Sequence, residues 1–169
     1  AQNVVTHIDG ATGAVTENAE VTFSALGQEM LVCPTWAGGR GWQAGAYSPL
    51  TNTMYFPLRN TCARMLSTLD GGLAIYALAA RHQLAPGTDQ LGPVRAISAA
   101  TGTPTWLHEQ RAATWSLVAT AGGLVFGGDV NGRFRAFHHE TGEILCEINL
   151  GSAVTGYPIS FAVGERQYI

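Results

Sequence analysis

Three observations in this 169-residue chain predict an all-β fold. The first is the stretch Gly122 to Gly151, which reads as three short strands separated by two turns. LVFGG is followed by the turn Asp129-Val130-Asn131-Gly132, RFRAFHH by Thr141-Gly142, and EILCEINL closes the unit. These runs are rich in β-branched and aromatic residues and alternate apolar with polar, as a strand with one buried face does. The second observation is that the shape recurs. A strand, a few small or polar residues, Thr-Gly and another strand appear at Val4 to Val15, Val94 to Glu109 and Phe134 to Ile148. Ala46 to Leu58 is a weaker copy with Asn52 in place of glycine. The third is composition: charged residues are only 12%, hydrophobic ones 46%, and 21 residues are glycine. That profile suits a compact, turn-rich β protein and argues against disorder.

Each element follows from local chemistry. Glycine takes the turn positions because a positive φ costs it nothing, and asparagine is the usual second choice. Thr12, Thr51, Thr101 and Thr141 mark the turns at intervals of 39, 50 and 40 residues. One such unit cannot bury its apolar face alone, and repeats of about 40 to 50 residues built of short strands predict β-propeller blades, each a four-stranded sheet. Propellers close with about four to eight blades, whereas 169 residues supply three to four. The sequence is therefore expected to be part of a larger ring.

Charge and hydropathy exclude some functions. A net charge of −3 with nine basic residues leaves no electrostatic footprint for nucleic acid. No apolar run reaches the roughly 18 residues that span a bilayer, and no basic and apolar leader opens the chain. Cys33 and Cys62 flank predicted strands and read either as a disulfide of an oxidising compartment or as two buried thiols. Cys146, on the apolar face of ILCEI, is expected to be a small buried residue.

Two segments carry candidate chemistry. In Cys33 to Cys62, Trp36 and Trp42 enclose Ala37-Gly38-Gly39-Arg40-Gly41, a loop that permits close approach to a ligand. Trp42 reads either as a stacking face for that ligand or as packing between blades; Trp36 reads as structural. In His108 to Phe126, Trp115 reads either as facing a central channel or as filling a gap between blades. Trp106 stands four residues after its Thr-Gly turn, as Cys146 does in the next repeat, and this periodic placement marks it as a blade-docking residue.

AISAATGTPTW (Ala96 to Trp106) resembles the tryptophan-docking repeat A-x-x-x-x-T-G-x-x-x-W of the pyrroloquinoline quinone (PQQ)-dependent alcohol dehydrogenases. AFHHETGEILC (Ala136 to Cys146) departs from it only by its terminal Cys. AGGRGWQAGAYSPLTNTMYFP is similar to that family's G-G-x-N-W-P-x-x-Y-x-P segment, and VATAGGLVFGGDVNGRFRAFHHETGEIL to its A-T-A-G-G-L-V-F strand and the repeat after it. The tail GSAVTGYPISFAVGERQYI is similar to the family's closing segment.

The resemblance covers nearly the whole chain and implies an eight-bladed quinoprotein propeller. Residues 1–169 would be the C-terminal part of its single propeller domain, three to four blades and part of the cofactor-channel wall. It implies an oxidoreductase that oxidises alcohols or aldehydes with hydride transfer to PQQ, beside a calcium or lanthanide ion. An electron acceptor such as a cytochrome c and a periplasmic location are implied as well. The family's catalytic base and metal ligands lie outside this chain, so no catalytic and no metal-binding residue is expected here. Expected to line the cofactor are Gly41 and Trp42, matching the family's Asn-Trp, and Trp115, matching a second family tryptophan in a register that falls equally on Thr114. Gly41 lacks the family's amide, for which Arg40 or backbone N–H groups are the candidate substitutes. The alternative reading is a non-catalytic propeller, a scaffold or protein-binding module built of the same repeats.

Overall fold

The computed structural model describes residues 1–69 and 78–169. The described residues are built from strands joined by turns, with one short 3-10 turn at Ala19–Val21. They fall into two compact units. The first comprises residues 1–39 and 60–89, the second residues 40–59 and 90–169.

In the first unit β1 (Val5–Ile8) and β2 (Val15–Glu17) form an antiparallel hairpin across the Thr12-Gly13 turn. Asp9 accepts the Thr12 and Ala11 amides at 2.7 and 2.9 Å and the Thr12 hydroxyl at 2.9 Å, and these bonds hold its carboxyl below the usual range. A separate sheet has the order β3-β6-β7, from β3 (Glu29–Val32), β6 (Thr61–Ser67) and β7 (Leu78–Leu84). Val32, Ala63 and Met65 form its core. A disulfide joins Cys33 to Cys62 beside buried Ala85, deciding between the two readings of these cysteines.

The second unit holds two four-stranded antiparallel sheets. One has the order β4-β5-β8-β9, from β4 (Ala46–Ser48), β5 (Thr53–Pro57), β8 (Val94–Ser98) and β9 (Pro104–His108). The other is the meander β10-β11-β12-β13, from β10 (Thr114–Ala119), β11 (Leu124–Asp129), β12 (Arg133–His138) and β13 (Ile144–Asn149). A last hairpin pairs β14 (Phe161–Val163) with β15 (Arg166–Tyr168). The strands and turns read in Gly122 to Gly151 are β11, β12 and β13 and their connections.

Register corrects one element of the repeat. The Thr-Gly turns at 101 and 141 join the last two strands of their sheets, with Ala96 opposite Trp106 and Ala136 opposite Cys146. The turn at Thr51-Asn52 instead joins the first two strands, β4 and β5. Asn52 does take a left-handed φ of 48°, so the turn chemistry was read correctly. Its place in the sheet was not, because alternation around a left-handed turn marks any hairpin. The segment between β5 and β8 leaves the sheet to supply β6 and β7, which stretches the apparent repeat.

Trp106 joins the two four-stranded sheets. Its ring lies 5.7 Å from that of Tyr55 and stacks at 6.2 Å on Phe137 of the second sheet. Its indole N–H donates to the His139 carbonyl at 3.0 Å, and the Tyr55 hydroxyl donates to the same oxygen at 3.0 Å. Gly142 follows in the turn with φ 73°, and a Cβ there would stand 2.6 Å from the Trp106 ring. The turn therefore needs glycine twice, for its backbone and for the indole above it. Tyr55, Val94, Ala96, Leu117, Val125 and Phe137 complete this core.

Cys146, expected to be buried, is exposed. It holds the register position that Trp106 holds in the other sheet, but β13 is an edge strand exposed along its length.

Candidate functional site

A buried polar cluster sets the start of β10, the strand that carries Trp115. Thr114 is paired with Asp129 across β10 and β11. Asp129, 1% exposed, accepts the amides of Asn131 and Arg133 through Oδ1 and an Arg135 Nη1 bond of 2.8 Å through Oδ2. Arg135 also donates to Gln110 Oε1 at 2.8 Å and to Glu147 Oε2 at 2.7 Å. Gln110 donates in turn to Thr114 Oγ1 at 2.7 Å, and that hydroxyl to the Gly92 carbonyl at 3.2 Å. The hydrogen bond from Arg135 holds the Glu147 carboxyl below its ordinary value.

His108 sits beside this cluster, 5.2 Å from the Phe137 ring. Burial pushes its imidazole below the ordinary value of 6.5 and the Arg135 charge adds to the shift, against the Gln110 hydrogen bond and the Glu147 charge. The unfolded chain then takes up the proton more readily than the folded one. Stability is full above pH 6.5 and declines as pH falls below it, towards the lowered value. Thermal unfolding of the full-length protein should show Tm falling on the acid side of this point, and His108→Gln should flatten that part of the profile.

The loop 40–45 is laid along β10. The Ala44 N–H donates to Ser116 Oγ at 3.1 Å, and the Leu117 N–H donates to the Ala44 carbonyl at 3.0 Å. This brings two of the three expected site residues into contact: the Trp42 and Trp115 rings lie 5.9 Å apart, edge to face at 75°. Trp42 is 69% exposed and Trp115 is half-buried. Within this chain one face of the Trp42 indole is therefore open, and the other ring it meets is that of Trp115. Thr114, the alternative in register, is buried in the polar cluster.

Gly41, the third, adjoins an amide that the sequence reading missed. A Cβ at Gly41 would meet Gln43 Oε1 at 3.0 Å. Gln43 is 3% exposed, and its Nε2 is buried without a hydrogen-bond partner. Arg40, a candidate substitute for the missing amide, turns instead onto the Phe56 ring, 4.9 Å from its centroid, and donates weakly to the Gln43 carbonyl at 3.5 Å. A second missed residue is Arg59, whose guanidinium carbon lies 5.3 Å from the centroid of the Trp115 ring. Nothing in its PLRN context signalled this, because the contact depends on how β5 and β10 meet.

Trp36 is 54% exposed in the first unit, its ring lies 6.2 Å from that of His82, and its indole N–H donates to His82 Nε2 at 3.3 Å. Among the described residues, His138, His139 and Glu140 bring potential metal-ligand atoms within 4.8 Å of one another. His138 Nδ1 accepts the Glu140 amide at 3.3 Å. Among the described residues, no helix is long and apolar enough to cross a membrane.

Four-stranded antiparallel sheets, docked by a tryptophan on the outer turn of the next sheet, define blades of a β-propeller. The sequence model of the PQQ family described as the glucose/ethanol/alcohol dehydrogenase β-propeller domain matches residues 81–169. The chain belongs to this family. It is 31% identical over 173 residues to a quinoprotein ethanol dehydrogenase of Pseudomonas putida, covering 96% of this chain and 28% of that protein. It is 27% identical over 176 residues to methanol dehydrogenase [cytochrome c] subunit 1 of Methylobacterium organophilum, covering 99% and 28%. Among solved structures, a europium-containing methanol dehydrogenase superposes with a TM-score of 0.87 at 27% identity, covering 99% of this chain and 30% of that one. The chain thus spans less than a third of the length of these relatives.

Proposed function

We propose that this chain forms blades and one wall of the cofactor channel of a PQQ- and metal-dependent dehydrogenase that oxidises alcohols or aldehydes. Residues 1–169 belong, on this reading, to one propeller domain completed by further blades. These blades cover exposed apolar residues such as Leu145, Ile148, Phe161 and Val163. The observation that carries the proposal is the Trp42–Trp115 pair, with one indole open to a flat ligand and the loop glycine Gly41 beside it.

The donor set fits the cofactor. A planar heterocycle bearing carbonyls and carboxylates needs a stacking face and N–H donors. Trp42 and Trp115 offer the first, while Gln43 Nε2 and Arg59 Nε are two buried donors without partners. Gly41 lets the backbone approach the ligand closely. When bound, PQQ supplies the two-electron acceptor for the hydride from the alcohol. The indoles hold the ring plane and exclude water from one side of it. The catalytic base and the ligands of the calcium or lanthanide ion belong to parts of the enzyme outside this chain.

The names of the relatives support the remaining roles. A quinoprotein ethanol dehydrogenase and a europium-containing methanol dehydrogenase support an alcohol substrate and a metal-assisted quinone. The relative designated methanol dehydrogenase [cytochrome c] supports a cytochrome c as electron acceptor. The Cys33–Cys62 disulfide suits an oxidising compartment, in keeping with the periplasm.

Reconstituting the full-length protein with PQQ and calcium or a lanthanide, then following dye reduction with several alcohols, tests this reading. Trp42→Ala is expected to weaken cofactor retention and lower turnover by roughly 5- to 30-fold, the loss of one aromatic contact of about 1–2 kcal/mol. Activity absent with every metal and alcohol would favour a non-catalytic propeller.

A further inference from the structure

Among the described residues Arg59 is a cation without an anion. It follows β5, held there by the neighbouring Leu58 N–H donating to the Pro93 carbonyl at 2.9 Å. The residue is half-buried, its Nε is buried with no hydrogen-bond partner, and among the described residues no carboxylate forms an ion pair with it. The contrast with Arg135 is direct, since that guanidinium meets both Asp129 and Glu147. What Arg59 does have is the Trp115 ring, 5.3 Å away. A ring face offsets part of the desolvation of a cation but satisfies few of the five N–H donors of a guanidinium. An unpaired, partly buried charge is costly unless an anion completes it.

The position identifies that anion. Trp115 also lies 5.9 Å from Trp42, so the guanidinium shares its ring contact with the Trp42–Trp115 pair. A planar guanidinium fork matches a carboxylate bidentately and stacks on aromatic rings, which an ammonium does less well. We infer that Arg59 is a carboxylate-recognising residue of this site, taking a carboxylate of the flat, polycarboxylated ligand that Trp42 and Trp115 hold. The inference rests on the PQQ reading above. It adds a residue to which the family comparison gave no role, and it makes the ligand's charge, not only its ring, a determinant of binding at this wall.

The test uses the full-length apoprotein with its metal, titrated with PQQ and with the uncharged trimethyl ester of PQQ, binding being followed by quenching of tryptophan fluorescence. Wild type is expected to bind PQQ more tightly than the ester. Arg59→Gln should weaken PQQ binding about 10- to 100-fold, as loss of a charge-assisted contact does, while leaving ester binding within about twofold. Arg59→Lys, which keeps the charge and guards against a folding defect, should fall between the two and show a steeper dependence on salt. PQQ binding unchanged in both variants, together with a lowered Tm of the apoprotein, would assign the guanidinium to a protein carboxylate and overturn the inference while sparing the cofactor reading. A wild-type protein that binds neither compound would overturn both.

Discussion

Trp106→Ala is expected to destabilise the full-length protein by about 3–5 kcal/mol, the range for deleting a large buried aromatic. The cost has three parts in this structure. Ring contacts with Tyr55 and Phe137 are lost, the His139 carbonyl loses one of its two donors, and Gly142 faces a void where the indole was. Because those contacts join two sheets, the loss also loosens one sheet against the other. Gly142→Ala approaches the same junction from the opposite side: its Cβ at a φ of 73° collides with the indole. The two substitutions combined should cost less than their sum, since removing the indole removes the collision. Denaturant unfolding midpoints of the two single variants and the double variant check this. Strict additivity would mean that Trp106 does not dock on the turn.

The second large effect lies in the buried cluster. Asp129→Ala removes the buried partner of Arg135 and leaves it only the partly exposed Glu147, and breaking a buried pair by removing one member costs up to about 3–5 kcal/mol. Asp129 also caps its own turn by accepting the Asn131 and Arg133 amides, so the substitution frees two backbone donors. Arg135→Met in the Asp129→Ala background should recover part of the loss, because an apolar pair of similar volume removes the buried guanidinium whose buried partner is gone. The same cluster fixes Thr114 through Gln110, so Asp129→Ala is expected to displace Trp115 as well. Unfolding midpoints report the first effect. Fluorescence of the tryptophans reports the second against a Trp115→Phe background. An Asp129→Ala protein as stable as wild type would show that the ion pair contributes nothing.

Much of this architecture is legible in the sequence, for reasons particular residues make plain. Gly102 and Gly142 announce their turns because few other residues take a φ near 70°. Trp106 is recognisable as a docking residue because the strand register repeats with the turn. The hairpin at Thr51-Asn52 misleads because its local chemistry is the same while its place in the sheet is set by β8, a strand some 40 residues later in the chain that pairs with β5. Cys146 misleads because alternation tells which face a residue takes, not whether another sheet covers that face. At the candidate site, Gly41, Trp42 and Trp115 stand out as residue types. Gln43 and Arg59 do not, since an orphaned amide and a guanidinium unpaired among the described residues are properties of packing. Trp42 meets Trp115 only because Ala44 pairs with β10.

The account stands on Trp42 and Trp115 forming an open wall for PQQ, and a crystal structure of the full-length protein with PQQ and its metal tests that most directly. The predicted result is a quinone in van der Waals contact with the Trp42 indole, Gly41 beneath its edge and Trp115 behind, with Gln43 and Arg59 turned to its oxygens. A cofactor bound elsewhere in the ring, with both indoles buried against neighbouring protein segments, would contradict it.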